Sequence, residues 1–428
     1  MRLNPLAGLA LLAACASEGP PPGSPPRLVP PAIILVSPDS GAVLPALAGD
    51  AVIQYDEVID EMASGAGGGG AGAVSGLGKQ VVLSPVAGPV SVSWHRSSIH
   101  VKPREGWKPG RVYHLQILPG IVDLHRNIQK RGATILFSTG PAIPTASLRG
   151  IAISWVEQRT LTLSLVRAVP KPDTVAYLTY TDSTGRFRLD GVPPGQYVLY
   201  AVNDQNGNRI QDPREAYDSA TVTLDSVAST NLWAFVHDTI GPRLRSSEPI
   251  DSVSFRLTFA QPLATKGLPD TTSVRVYELP DSTPVPLSAV LLPALNDSLV
   301  ARQRAALDSA RRAADTTHAA IDTTKKKTPA RDTTSRRPTA PPPPPPTPGH
   351  PGAAAAAPDS AVIKLLASRP APTDKLVVRT RTPLKASTKY FIRVLGATNL
   401  SGVHADAVGV LALPAPKKVA PADTAKHQ

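Results

Sequence analysis

One pattern occurs twice in this chain, and it restricts the fold more than any other feature. Lys108-Pro109-Gly110-Arg111-Val112-Tyr113-His114-Leu115-Gln116-Ile117 leads into Gly120-Ile121-Val122-Asp123-Leu124. Far downstream, Leu384-Lys385-Ala386-Ser387-Thr388-Lys389-Tyr390-Phe391-Ile392-Arg393-Val394 leads into Gly396-Ala397-Thr398-Asn399-Leu400-Ser401-Gly402. Each copy is a loop, a Tyr-bearing alternating segment and a turn of small residues. Side chains alternate across a strand, so this period of two marks a half-buried strand. Its recurrence implies two units of one β fold.

The rest of the chain divides around these copies, and its 428 residues give room for about three domains. The first unit is expected over 31–141. Its opening run Ile33-Ile34-Leu35-Val36 stops at the turn cluster Ser37-Pro38-Asp39-Ser40-Gly41, and Val81-Val82-Leu83 and Val90-Ser91-Val92-Ser93-Trp94 read as further strands. Gly65 to Gly78 reads as a flexible Gly/Ala-rich excursion. A middle unit spans 146–235. There Phe187 and Leu189 share a strand face, Pro193-Pro194-Gly195 makes a tight turn, and Tyr197, Leu199 and Ala201 share the next face. The third unit is split into 238–295 and 359–414. Between them, 296–358 holds Lys325-Lys326-Lys327, a proline run from Pro341 to Pro346 and alanines from Ala353 to Ala357. Such sequence cannot bury enough apolar surface to fold, and it reads as a disordered insertion whose start, 302–321, is a fraying helix. The tail, 415–428, reads as disordered as well.

The N-terminus is expected to be an export signal. One arginine, Arg2, precedes a short apolar run ending in Leu12-Ala13-Ala14-Cys15. The run is too short to span a bilayer and has the size of a signal-peptide core. Leu12-Ala13-Ala14-Cys15 resembles the bacterial lipobox. That resemblance implies cleavage after residue 14 and acylation of Cys15, the only cysteine of the chain. Two or more acyl chains on one residue anchor a protein stably where one does not. Residues 15–30, with Pro20-Pro21-Pro22 and Pro25-Pro26, form a semi-rigid spacer. Ala16 after the cysteine implies sorting to the outer membrane. The formal net charge of +12 then points to anionic envelope polymers and lipid headgroups rather than to specific nucleic acid.

The outer units resemble the SbsA-type bacterial Ig-like domain. The matching residues are Pro31 to Gly41, the segment Val52-Ile53-Gln54-Tyr55-Asp56-Glu57, Pro109 to Asp123 and the closing Phe137-Ser138-Thr139-Gly140. The third unit is diverged: Asn399 stands where the family has Asp, and the closing motif is missing. The middle unit resembles the carboxypeptidase-regulatory or collagen-adhesin B-type module through Asp182-Ser183-Thr184-Gly185-Arg186-Phe187 and Gly195-Gln196-Tyr197. These resemblances imply an all-β chain of tandem Ig-like and prealbumin-like sandwiches without catalysis of their own.

The best polar constellation is Asp204 to Glu215. Asp204, Asn206, Asn208, Asp212 and Glu215 fall at the first, third, fifth, ninth and twelfth positions of a calcium-loop spacing, with the Ile210 carbonyl at the seventh. Oxygens at alternate positions would wrap one Ca²⁺. The glycine of the sixth position is Arg209, and an Asx-rich turn closed by its own side chains is the competing reading. His95, His100, His114 and His125 read as solvated strand histidines, and Asp56, Glu57, Asp60 and Glu61 as a solvated acidic edge. No nucleophile elbow, P-loop or dinucleotide fingerprint is present. The expected function is a membrane-anchored envelope lipoprotein whose modules act as scaffold, adhesin or binding module for a glycan or protein. The alternative is a calcium-dependent accessory or sensor subunit of an envelope hydrolase or transport system.

Overall fold

The computed structural model describes residues 28–62, 76–319 and 359–415. Cys15, the signal segment, most of the spacer, nearly all of the Gly-rich excursion, 320–358 and nearly all of the tail lie outside the described residues. No helix among the described residues is long and apolar enough to cross a membrane.

In the first unit the strands are β1 (Ile33–Ser37), β2 (Ala51–Tyr55), β3 (Val81–Ser84), β4 (Val90–His95), β5 (Ser98–Pro103), β6 (Val112–Ile117) and β7 (Ala133–Ser138). They form two antiparallel sheets, β1-β2-β5-β4 and β3-β6-β7. The inward residues of both, Ile53, Tyr55, Ile99 and Val101 against Val81, Leu83, Tyr113, Leu115 and Phe137, share one core. This is a β-sandwich.

The middle unit has β8 (Ser147–Ser154), β9 (Arg159–Thr160), β10 (Leu165–Pro170), β11 (Tyr177–Tyr180), β12 (Arg186–Asp190), β13 (Gly195–Val202), β14 (Ala216–Leu224) and β15 (Val227–Val236). The order is β11-β10-β13-β14-β15-β8-β12, with β9 beside β8. Only Ala216↔Val236 and Tyr217↔Phe235 join β14 to β15, and the two halves fold over a common core of Leu148, Val166, Phe187, Tyr197, Leu199 and Leu232. β15 runs parallel to β8. Gly150 is required where β8 is squeezed: a Cβ there would lie 1.8 Å from the Thr230 carbonyl and 2.7 Å from the Phe187 ring.

The third unit has β16 (Leu244–Asp251), β17 (Ser254–Leu263), β18 (Val274–Glu278), β19 (Thr283–Pro284), β20 (Leu287–Leu291), β21 (Thr373–Thr380), β22 (Lys389–Thr398) and β23 (His404–Ala412). Its sheets are β16-β17-β21-β20 and β19-β18-β22-β23. With β19 set aside, strand for strand this is the order of the first unit. The repeated tyrosines explain why. Tyr113 and Tyr390 are both buried, and their hydroxyls accept from the Lys108 and Lys385 backbone N–H at 2.8 and 2.7 Å. Each ring fills the core while its oxygen pins the incoming loop.

Where the first unit turns from β4 to β5 through Arg96 and Ser97, the third makes its long excursion between β20 and β21. The first part of that excursion is helical, as expected from 302 onward, but the helix begins earlier, at Pro293. Residues 296–319 belong to α1 (Pro293–Ala319). Ala, Arg and Gln are strong helix formers, which suffices to wind this segment although it is exposed from Arg302 to Arg312. Its first turn is fixed by Asn296, which is buried and accepts from Arg379 at 3.1 Å. The returning chain forms α2 (Ser360–Ala367), capped by Asp359, whose side chain accepts from Ala361 N–H and also pairs with Arg186 of the middle unit. α2 packs Val362, Leu365 and Leu366 against Ile151, Ile153 and Trp233 of the middle unit. Arg369 then lies over the rings of Trp155 and Trp233, and the Trp155 indole donates to Pro370 O at 3.1 Å.

The histidine reading is corrected at β6. His114 is 1 % exposed, because the outer face of β3 and β6 is covered by β11 of the middle unit. Gln116 donates to Leu178 O at 3.1 Å and Leu178 N–H donates to Ser84 Oγ at 2.9 Å across this seam. The His114 ring meets Tyr177 edge to face.

Candidate functional site

The segment from Asn203 to Glu215 connects β13 to β14 and is folded around its own carboxylates. Asp204 Oδ1 accepts from the backbone N–H of Gly207 and Asn208, and its Oδ2 from Arg209 N–H at 2.8 Å. Asn206 Oδ1 accepts from Asn208 N–H, and Asn208 Oδ1 from Ile210 N–H. Glu215, 5 % exposed, closes the loop by accepting from Gln205 N–H and Asp212 N–H through its two oxygens. Burial raises its pKa. Those two N–H groups pull the other way, while the negative Asp204 and Asp212 add to the rise. Asp212 Oδ2 receives the side-chain amides of Asn206 and Asn208 at 2.6 and 3.1 Å.

The five polar side chains picked out by spacing are therefore gathered into one network. The Ile210 side chain points to solvent, 60 % exposed. Arg209, at the position that asks for glycine, adopts φ +62°, the left-handed bend that glycine would supply. Its guanidinium leaves the loop and donates to the carbonyls of Gly78 and Lys79 at 2.8 and 3.1 Å. The cation that weakens the motif on paper is thus a strut to the first unit. The donor set is all oxygen and suits a hard cation in composition and backbone shape. Its three carboxylates, however, do not each bring one oxygen to within 4.8 Å of the other two.

Among the described residues such convergence occurs at Glu57, Asp123 and His125; the sequence reading had put Glu57 in the solvated acidic edge, His125 among the solvated histidines and Asp123 in the turn after the repeated strand. The Glu57 side chain is 9 % exposed. No spacing signal links residue 57 to residue 123; the bridge Ile59↔Asp123 brings them together.

A further feature lies where the calcium-type loop approaches the third unit. A cavity of about 240 Å³ opens between the middle and third sandwiches, and Asn203, Gln205, Phe235, Asp238, Asn399 and Ser401 are among its lining residues. The Ser401 hydroxyl is buried there without a protein partner. Asn399 donates to the carbonyls of Asp238 and Ile240 at 3.3 and 3.1 Å, which fixes the linker between the units beside the cavity.

No protein-family model and no curated protein matches the chain. Solved structures give faint likenesses. BcpA, the major pilin subunit of Bacillus cereus, is 10 % identical over 48 % of this chain and 70 % of that one, with a TM-score of 0.18. A DUF3823 family protein from Bacteroides uniformis is 8 % identical over 63 % of this chain and all of that one, at 0.17. Native alpha-2-macroglobulin from Escherichia coli, over its MG0-NIE-MG1 domains, is 12 % identical over 59 % of this chain and 84 % of that one, at 0.18. At these values the likenesses carry no argument about function.

Proposed function

We propose that this chain is a lipid-anchored protein of the bacterial envelope, sorted to the outer membrane, that binds a ligand without transforming it. The observation that carries the binding role is the cavity between the middle and third sandwiches. It combines the amides of Asn203 and Gln205 with the unpartnered Ser401 hydroxyl and the aromatic Phe235. Convergent polar groups around an aromatic side chain suit a hydroxyl-rich ligand, and an envelope glycan is the fitting class. Lipid anchoring rests on the lipobox resemblance at Cys15.

Two experiments test this reading. Calorimetry of the full chain with envelope glycan fragments should show binding that Asn203→Ala and Phe235→Ala weaken at least tenfold. Equal affinity in both variants removes the cavity from the proposal. Mass spectrometry of the mature N-terminus should find acylated Cys15, and Cys15→Ser should release the protein from membranes; an N-terminus at another residue overturns the anchor.

A second reading is favoured by the left-handed Arg209. We infer that the loop holds Ca²⁺ through Asp204, Asn206, Asn208, Asp212, Glu215 and the Ile210 carbonyl. The ion would supply positive charge to three carboxylates and stiffen Asn203 and Gln205 at the cavity wall, which is the calcium-dependent accessory or sensor role. Millimolar calcium should raise the Tm of the full chain by linkage, and Glu215→Ala should abolish the rise. Identical melting with calcium and with chelator leaves the self-closed turn as the whole account.

A further inference from the structure

The loops that follow β2 and β6 in the first sandwich meet in the same way as the end of β17 and the loop that follows β22 in the third, and the bridges Ile59↔Asp123 and Leu263↔Asn399 put them in one register. Glu57 of the first unit corresponds to Gln261 of the third, and Asp123 to Asn399. The backbone job at the second position is unchanged. Asp123 Oδ1 accepts from Asn127 N–H at 2.8 Å, and Asn399 Oδ1 accepts from Val403 N–H at 2.9 Å, four residues on in each case. The facing groups differ in one respect. In the third unit an amide donates, Asn399 Nδ2 to Gln261 Oε1 at 3.4 Å. In the first unit both are carboxylates, which accept only.

A third side chain stands beside the acid pair. His125 Nδ1 lies 3.8 Å from Glu57 Oε2, and one ligand atom from each of Glu57, Asp123 and His125 falls within 4.8 Å of the others. Two ligands each at about 2.0–2.2 Å from a tetrahedral ion lie roughly 3.3–3.6 Å apart, so a closure of these side chains by about an ångström would complete the set. We propose that Glu57, Asp123 and His125 form a binding site for a divalent transition ion of the zinc class. One imidazole nitrogen with two carboxylate oxygens is a mixed set that suits zinc better than calcium or magnesium. Two negative charges and a neutral imidazole balance a dication, so the site is neutral when filled. The ion takes the part that the Asn399 amide plays in the third unit: it supplies the positive charge between two oxygen groups. Access is through His125, which is 57 % exposed, while Asp123 is fully buried and Glu57 nearly so. Asp123 is already oriented by the backbone N–H groups of His125 and Asn127 and by the Asn127 side chain, each at 2.8 Å. Such outer partners fix a ligand's direction before the metal arrives.

The test uses the full chain, stripped with chelator and titrated with zinc chloride by calorimetry and thermal melting. Wild type should bind one zinc per chain at this site and melt several degrees higher with it. The double variant Glu57→Gln/Asp123→Asn copies the side chains that the same framework carries in the third unit, so it should fold and lose the zinc response. His125→Asn, at an exposed position, should weaken zinc at least tenfold and leave the metal-free Tm in place. Absence of heat and of a Tm shift in wild type overturns the proposal. So does a response retained in full by the double variant, which would place the zinc elsewhere, for instance at the neighbouring rings of His95 and His100. A His125→Asn protein that binds zinc as tightly as wild type would overturn it too.

Discussion

The first and third sandwiches share a strand order and differ in what their loops and outer faces touch. At the meeting of the β2 and β6 loops the first unit has the acids Glu57 and Asp123, and the third, between β17 and β22, has the amides Gln261 and Asn399. On the outer face of β6 the first unit buries His114; the matching residue of β22 is Phe391. The core, by contrast, keeps its tyrosine, its incoming loop and its pin. The framework therefore tolerates either charge state at its loop ends because the oxygen that caps the turn is common to Asp and Asn. What the exchange alters is the partner: the amide can donate to the 238–240 linker, and the acid cannot.

The sharpest way to break this comparison is to swap the groups. Asn399→Asp would set a buried carboxylate against the carbonyls of Asp238 and Ile240 and remove the donor they use. A loss of about 3 kcal/mol or more is expected by denaturant melting, in line with other uncompensated buried charges. Asp123→Asn keeps the capping oxygen and should cost only about 1 kcal/mol in metal-free protein. Equal costs would mean that the two sites are not equivalent.

A second test concerns the outer faces. Burial pushes the His114 pKa down to about 4, against smaller upward pulls from the Gly191 backbone and Asp190. The folded protein thus prefers the neutral ring. The stabilising preference is complete above the unfolded value of 6.5 and is lost progressively as pH falls from there towards 4. The loss should reach about 3 kcal/mol at the bottom of that window. It should be missing in His114→Phe, which makes the first unit resemble the third. A pH profile that is the same in this variant would show that the seam between the first and middle units does not sense protonation.

The smallest effect should come from the shared pin. Tyr113→Phe and Tyr390→Phe each remove one hydrogen bond to a backbone N–H and leave the ring in the core. Each should cost about 1 kcal/mol, and the two costs should match. A large disparity would show that one tyrosine is placed by packing alone.

These contrasts also show how far the sequence could be read. The repeat around Tyr113 and Tyr390 was legible because a period of two, a flanking loop and a glycine turn sit within a few residues of each other. The gathering of Asp204 to Glu215 was legible for the same reason: its spacing is local. What escaped depended on partners distant in the chain. His114 lies on the polar stripe of an alternating strand, and only β11, from another unit, turns that stripe into an interior. Glu57 reads as one of a run of acids until a loop more than a domain's half away closes over it. Arg209 counted against a cation in sequence and became a strut only once Gly78 and Lys79 were in place.

The excursion between β20 and β21 has a consequence for the history and the engineering of this protein. Its two ends are neighbours in one sheet, Leu291 beside Val377, so whatever lies between them leaves the sandwich unstretched. Doubling the length of such a tethered loop costs only about 0.6 kcal/mol in closure entropy. Length there thus bears little on folding stability, as long as α2 and Arg369 still reach the middle unit. The same tolerance makes the segment a natural port: a reporter domain or affinity handle spliced into it would be displayed from the protein while all three sandwiches keep their strands in register.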